Sequence, residues 1–585
     1  MSIDRSPEGS QQGEGTAVNG EPSAWQAEFD VVVAGSGAGG MAAALTAAQA
    51  GLSVLIVEKT SRVGGSTAIS GGAIWAPLNA HSAAVGHPDT REQVQTYLRA
   101  TVGAHAPAAL QQAFVDHAAE AVAWFESNTA LKLAGRAYSP DYYPDRPGAA
   151  LGGRSLDPVV FDGRLLGPAF KDLRDPLPEF MVLGHMMVTM TDARHLLAAL
   201  QSFTSWKESM KLVLRYGLDR LGGYHRGTRL VLGNALAARL FKSVLDRQIP
   251  YWLDAPLQNL HQDGGRTMGV TVLRGGRPVR VRARRGVVVA TGGFPWDAAM
   301  RRQHFPAPTG PWSMSPEGNA GEGIALARQA GAALGSAHAS PAFWAPVSIL
   351  KRPDGSELRY PHLVWDRAKP GLIAVNRRGE RFVNESTSYH EFVRAMQARP
   401  ENLPAYLVCD RRFIDLWGLG LALPGGRPRE HLVRAGYLRR AASLTELATQ
   451  LGVDAGRLTA AAASMNHAAS QGVDEAFGKG STAYNRYLGD AAQAPNPCLG
   501  PIDEPPYFAV EVLAGDIGTA LGIATNAHAQ ALDAAGQPMP GLYVAGNDMH
   551  SVMGGQYPAP GITLGPALTF GWLAGRHLAS QETTP

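Results

Sequence analysis

The chain has 585 residues, 45% of them hydrophobic and 18% charged, with a formal net charge of +3 and no long basic run, which argues against nucleic acid as a partner. That length exceeds one compact core, so two domains sharing a ligand are expected. Cys409 and Cys498 are too few and too far apart for a disulfide framework or a CxxC site, and the 17 histidines form no ligand-like cluster, so no metal site is read.

The first 25 residues are polar and rich in Gly, Ser and Glu, without the apolar core of a secretory signal, and a disordered tail is expected over residues 1–27. No apolar run reaches the roughly 18–20 residues that span a bilayer. A soluble cytoplasmic protein is expected, with attachment to a membrane surface left open.

Phe29–Val33 (FDVVV) reads as a buried parallel strand. It runs into Gly35-Ser36-Gly37-Ala38-Gly39-Gly40, an Ala-rich helical stretch ending at Gly51, and a second strand, SVLIVEK, carrying Glu58 and Lys59. Gly35 makes the tight turn, Gly37 lets backbone approach a pyrophosphate, and Gly40 lets the helix pack on the strand. The helix N-terminus offers free N–H groups and a positive dipole end to the phosphates. Glu58, 21 residues after Gly37, is placed to accept hydrogen bonds from ribose hydroxyls. These residues form a dinucleotide site and leave NAD or FAD open.

Four further segments favour the flavin. Ser61 to Gly72 follows at once, and its Gly65, Ser66, Thr67, Ser70, Gly71 and Gly72 bring backbone and hydroxyl donors to the flavin ring and its diphosphate. Gly286 to Phe294 (GVVVATGGF) reads as a buried strand ending in a turn over Ala290, Thr291 and Gly292. Gly541 to Asp548 repeats that pattern and ends on Gly546, Asn547 and Asp548. Gly561-Ile562-Thr563-Leu564-Gly565-Pro566-Ala567 then opens a helix with Pro and small residues near its first turn, whose N-terminus would stabilise negative charge on the flavin pyrimidine edge.

Between these segments, residues 176–245 hold several helical stretches rich in Met, Leu and Arg/Lys, with partial amphipathic periodicity. One reading is a helical layer that caps the flavin domain or forms an oligomer contact. The other is an apolar surface that takes hydrophobic substrate from a membrane or widens the pocket.

With GSGAGGMAAAL, EKTSRVGGSTAISGGAIW, ATGGF, NAGEGIALA, GERFVNE, GDIGTALGI and GLYVAGN in this order, the chain resembles the succinate dehydrogenase/fumarate reductase flavoprotein superfamily. QYPAPGITLGPALTFG and DYYPDRPG make it similar to the 3-ketosteroid dehydrogenases within it, most closely the Δ1-dehydrogenases. The resemblance implies an α/β protein with a Rossmann-like FAD-binding domain and an inserted α+β catalytic domain. GERFVNE lies between two sets of flavin motifs, so residues 28–338 and 520–585 are expected to hold FAD and residues 339–519 to form the insertion. The family's Tyr-Pro-x-x-Gly motif falls on Tyr557 and Gly561, which would bind the C3 carbonyl oxygen of a 3-ketosteroid. Its tyrosine after RFVNE falls on Tyr389, which would take the C2 proton, assisted by Tyr142 rather than Tyr143.

The chemistry agrees. Desaturation beside a ketone removes a proton α to the carbonyl and a hydride from the β carbon, and two aimed donors stabilise the developing enolate oxygen. A tyrosine base, with a reference pKa of about 10, needs a neighbour that stabilises its phenolate. The hydride goes to flavin N5. Trp75 and Trp344 are expected in the pocket wall or core, and Glu322 in a structural role. The His-Pro-Thr segment of fumarate reductases has no match here, and Pro-Ala-Pro-Gly after Tyr557 favours Δ1 over Δ4 regiochemistry. The alternatives are a Δ4-(5α) ketosteroid or another cyclic ketone as substrate. The electron acceptor is not legible.

Overall fold

The structure, a computed structural model, describes residues 24–178, 181–363 and 366–581. The expected tail lies outside the described residues as far as residue 23, but its last residues are already part of the fold. Gln26 N–H donates to Arg280 O at 2.9 Å, the Arg280 guanidinium sits 4.6 Å from the Trp25 ring centroid, and the first strand begins at Ala27.

The chain is an α/β protein built on two large sheets. The first contains β1 (Ala27–Ala34), β2 (Val54–Val57), β3 (Tyr251–Trp252), β4 (Leu257–Asp263), β5 (Arg266–Arg274) and β6 (Arg277–Val289), in the spatial order β3-β2-β1-β6-β5-β4. The second contains β7 (Ala342–Lys351), β8 (Glu357–Pro361), β9 (Leu372–Val375), β10 (Ala405–Cys409), β11 (Leu438–Ala441) and β12 (Tyr507–Thr519), ordered β8-β7-β12-β10-β9 with β11 also on β12. The chain then returns to the first sheet with β13 (Gln530–Leu532) and β14 (Pro538–Val544), the latter parallel to β6 with Val287 opposite Leu542.

Parallel strands covered on both faces need apolar side chains on both, and Val31–Val33 and Val287–Val289 are fully buried. Each such side chain contributes about 1.5–3 kcal/mol over its exposed state. β1 ends at Gly35, whose φ of +105° and 2.0 Å clearance between a built Cβ and Ala290 O admit no side chain. The turn delivers the chain into α1 (Ala38–Gln49). Against α1 packs the last helix, α6 (Leu564–Ser580), where Gly571 and Gly575 let the two backbones meet; a Cβ on Gly571 would stand 2.4 Å from Gly39 O.

The stretch expected to be helical contains α2 (Met190–Leu197), α3 (Phe203–Leu221) and α4 (Leu232–Asp246). α4 is buried along most of its length, whereas α3 is inverted. Its inward residues include the buried Ser205, Ser209 and Asp219, while Phe203, Trp206, Met210, Leu214, Leu218 and Leu221 are exposed. Asp219 accepts from Thr228 N–H at 2.8 Å, which anchors the polar face.

Candidate active site

One cavity of about 370 Å³ runs from the β1–α1 turn to the ends of β8 and β12. At its near end Glu58 is fixed by Ser36 and Thr60: Ser36 Oγ donates to Oε2 at 2.6 Å, and Thr60 N–H and Oγ1 donate to Oε1 at 2.9 Å. Gly37 caps α1 without a side-chain hydrogen bond of its own; Ala38 N–H donates to Thr67 Oγ1 at 2.9 Å, and the start of the helix lines the cavity. Lys59 forms an ion pair with Glu322, and both line the wall, which gives Glu322 a structural partner.

All but two of the residues expected to bind the cofactor line this cavity: Gly35, Ser36, Gly37, Ala38, Gly39, Glu58, Lys59, Gly65, Ser66, Thr67, Ser70, Gly71, Gly72, Ala290, Thr291, Gly292, Gly546, Asn547, Gly561, Thr563 and Leu564. The exceptions are Gly40 and Asp548. A Cβ on Gly40 would come within 2.1 Å of Gly35 O, so its place is the helix–strand contact. Asp548 is fully buried and accepts from Thr291 N–H, from Thr291 Oγ1 at 2.8 Å and from Gly293 N–H at 2.8 Å. It holds the turn after β6 in shape and does not face the cavity. Burial raises its carboxyl pKa, against the pull of those donors.

The wall also contains residues that sequence reasoning passed over. Asn319, inside the NAGEGIALA segment, donates to Ser66 Oγ at 3.0 Å and Gly292 O at 3.3 Å. Arg174 donates to Thr60 Oγ1 at 2.8 Å. Leu177, Leu257, Leu363 and Ile517 supply an apolar lining. Trp75 and Trp344 are fully buried core residues and do not line the cavity.

At the far end three phenols converge. Tyr389 is the first residue of α5 (Tyr389–Gln397), whose N-cap Ser388 accepts from Glu391 N–H at 3.2 Å. The next residue, His390, is pinned to β7 by Trp344 N–H, which donates to its Nδ1 at 3.1 Å. Burial takes the His390 pKa down to about 3, so the imidazole beside Tyr557 is neutral. Tyr142 Oη donates to Tyr389 Oη at 3.2 Å, whereas Tyr143 turns away and donates to Glu391 Oε1 at 2.8 Å. The Tyr557 ring stacks on Tyr142 with centroids 5.6 Å apart and meets Tyr389 edge-on at 5.0 Å.

The backbone ties these groups together. Pro558 O accepts from Tyr142 N–H at 2.8 Å and from Tyr97 Oη at 2.7 Å. Gly561 has a φ of +97°, its carbonyl accepts from Trp75 N–H at 3.0 Å, and a built Cβ would lie 2.5 Å from Trp75 N. Only glycine fits there, and the residue lines the cavity. Burial drives the phenols of Tyr389 and Tyr142 well above their ordinary pKa of about 10, and pushes Tyr557 up to about 12, with Tyr389 and Thr563 pulling against it. Tyr557 is therefore protonated at neutral pH and has a hydroxyl proton to donate.

The family described as FAD binding domain matches residues 30–564. A 3-oxosteroid 1-dehydrogenase of Mycolicibacterium smegmatis is 36% identical over 568 residues, 94% of this chain and 97% of that protein. A 4-oxocyclohex-2-ene-1-carboxylate 5-dehydrogenase of Sinomonas cyclohexanicum is 39% identical over 559 residues, 94% of this chain and 93% of that protein. Among solved structures, a 3-ketosteroid delta1-dehydrogenase from Sterolibacterium denitrificans in complex with 1,4-androstadiene-3,17-dione matches with a TM-score of 0.88 at 38% identity, covering 94% of this chain and 99% of that one.

Proposed function

The chain belongs to the FAD binding domain family, and from that premise we propose that it is an FAD-dependent dehydrogenase that introduces the C1–C2 double bond of a 3-ketosteroid. The observation that carries this reading is the meeting of Tyr142, Tyr389, Tyr557 and Gly561 at one end of a cavity whose other end has the donors of a dinucleotide site. The cavity fits FAD by its own chemistry. The N-termini of α1 and α6 carry no side-chain cap and can face anionic groups, and Glu58 offers a carboxylate to the ribose. When bound, the flavin supplies the acceptor for the C1 hydride. Residues 28–338 and 520–585 hold this cofactor, and residues 339–519 supply the base.

The protein's own groups do the rest. Tyr557 Oη and Gly561 N–H donate to the C3 carbonyl oxygen and stabilise the charge that grows there as C2 loses its proton. Tyr389 Oη takes that proton, and Tyr142 Oη steadies the phenolate form of Tyr389 by hydrogen bonding. Leu177, Leu257, Leu363 and Ile517 present the apolar wall that a flat hydrocarbon skeleton requires.

A second reading, a monocyclic keto acid as substrate, is favoured by one observation. Arg136 lines the same cavity, and only its Nε and Nη2 are engaged by Asp157, at 2.8 and 2.7 Å. Anaerobic mixing with androst-4-ene-3,17-dione should bleach the flavin and yield the 1,4-dien-3-one. Bleaching by 4-oxocyclohexanecarboxylate and not by the steroid would transfer the assignment to the keto acid.

No helix among the described residues is long and apolar enough to cross a membrane. The outward apolar face of α3, flanked by Lys207, Lys211 and Arg220, instead suits contact with an anionic bilayer surface, and Leu177, near the start of the same insertion, lines the cavity. We infer that the protein is cytoplasmic and takes its substrate at that surface. Vesicles containing an anionic lipid should co-sediment with the protein, and replacing Phe203, Leu214 and Leu221 with Ser should abolish this. Equal sedimentation of both proteins would remove the membrane role of α3.

A further inference from the structure

The two loops that carry Tyr142 and Gly561 hang on one pair of short antiparallel strands, Ile74–Trp75 and Ser155–Pro158, in which Trp75 stands opposite Ser155. Each strand holds both loops. Trp75 donates from its indole Nε1 to Asp141 Oδ1 at 3.3 Å and from its backbone N–H to Gly561 O at 3.0 Å. On the other strand Ser155 Oγ donates to Pro560 O at 2.9 Å, and Arg154, the residue just before it, donates from Nη1 to Asp141 Oδ2 at 2.8 Å. Asp141 and Pro560 are the chain neighbours of Tyr142 and Gly561. Pro558 O joins the loops a further time by accepting from Tyr142 N–H at 2.8 Å.

Arg154 is itself held from several sides. Its Nε and Nη2 donate to the two oxygens of Asp89 at 3.0 and 2.8 Å, and Nη2 also donates to Gly148 O at 2.9 Å. The guanidinium lies 5.5 Å from the ring centroid of Tyr97, whose hydroxyl donates to Pro558 O. Asp141 accepts in addition from Ala150 N–H at 3.0 Å. The side chains of Asp89, Asp141 and Arg154 are no more than 3% exposed, and neither Asp141 nor Arg154 lines the cavity. Burying three charges carries a desolvation cost that their attraction need not recover, and an apolar cluster of the same volume would hold a fold as well. What such a cluster lacks is direction: a forked guanidinium fixes two carboxylates at set angles. Here that direction is imposed one residue from Tyr142, whose hydroxyl meets that of Tyr389 at 3.2 Å.

We propose that Asp141 and Arg154 are positioning residues for the desaturation: the buried Asp89–Arg154–Asp141 array sets the Tyr142 hydroxyl against Tyr389 and in register with Tyr557 and Gly561. Base, assistant and ketone donors then form one rigid unit, instead of two loops that must meet anew at each turnover. Neither residue acts on the substrate except through Tyr142.

The inference rests on the assisting role proposed for Tyr142, and a double-mutant cycle in the FAD-loaded protein tests it. Asp141→Asn keeps the shape of the side chain and removes the charge that Arg154 grips. It should slow anaerobic flavin reduction by the steroid at least about tenfold, because a small misplacement of a reacting group costs far more than its size suggests, and affinity for the 1,4-dien-3-one should not change. Arg154→Lys keeps the buried positive charge, loses the fork and should have the same effect. In a Tyr142→Phe background the hydroxyl to be aimed is gone, so each change should cost less than about twofold. Equal slowing in both backgrounds, or no slowing by either change when Tyr142 is intact, overturns the proposal. Full activity of Tyr142→Phe alone would instead overturn the role of Tyr142, and this inference with it.

Discussion

Tyr389→Phe should retain its bound flavin and lose desaturation almost completely. The ring stays, so its edge-on contact with Tyr557 at 5.0 Å and the start of α5 survive; only the proposed proton acceptor is lost. Positioned general bases contribute about 10²–10⁴-fold, so flavin reduction should slow by that factor, about 3–5 kcal/mol of barrier. Rapid-mixing absorbance under nitrogen measures it. The pH dependence follows from sign alone. The base must be deprotonated, and burial raises the Tyr389 phenol, so the deprotonated fraction and the rate rise with pH through the neutral range. A rate that falls with rising pH would mean that a protonated acid limits the step.

Tyr557→Phe comes next in size. In the role proposed for Tyr557 it removes one of two donors to the carbonyl oxygen, and it keeps the ring that stacks 5.6 Å from Tyr142. Loss of one such donor costs about 2.7–4 kcal/mol, or 10²–10³-fold in turnover. Because the charge grows only as the proton leaves, KM should change little while kcat falls. A raised KM with kcat intact would show that Tyr557 binds ketone and transition state alike. The share proposed for Gly561 is a backbone one, which no side-chain deletion would remove.

The parts of this site that were legible in the sequence are those in which backbone conformation and chemistry coincide in a short stretch. Gly35 and Gly561 are glycines because their φ angles and clearances allow nothing else, and such constraints recur as motifs. Tyr389 was marked by the segment before it, and Tyr142 was told from Tyr143 only by order in the chain; the structure sets the Tyr142 hydroxyl 3.2 Å from that of Tyr389. Asp548 was misread for a physical reason: a carboxylate after a glycine turn looks the same whether it faces the ligand or braces the turn. The apolar wall was not legible, because Leu177, Leu257 and Leu363 sit at loops or strand ends where no period marks them. Tyr484 lies far from Tyr142 in sequence, and only folding brings the two rings to 4.6 Å. For α3, the period disclosed an apolar stripe but not which way it points; the burial of Ser205, Ser209 and Asp219 decides that.

The return of the chain to its first sheet has a consequence for biosynthesis. β6 carries β1 on one side and β14 on the other, so a nascent polypeptide that has not yet emitted Pro538–Val544 displays Val287–Val289 as an open, apolar ladder edge. Such an edge is an invitation to self-association. Pro558, whose carbonyl secures Tyr142, arrives later still. A chain that stops short of Pro538 therefore lacks both the strand that covers Val287–Val289 and the carbonyl that secures Tyr142.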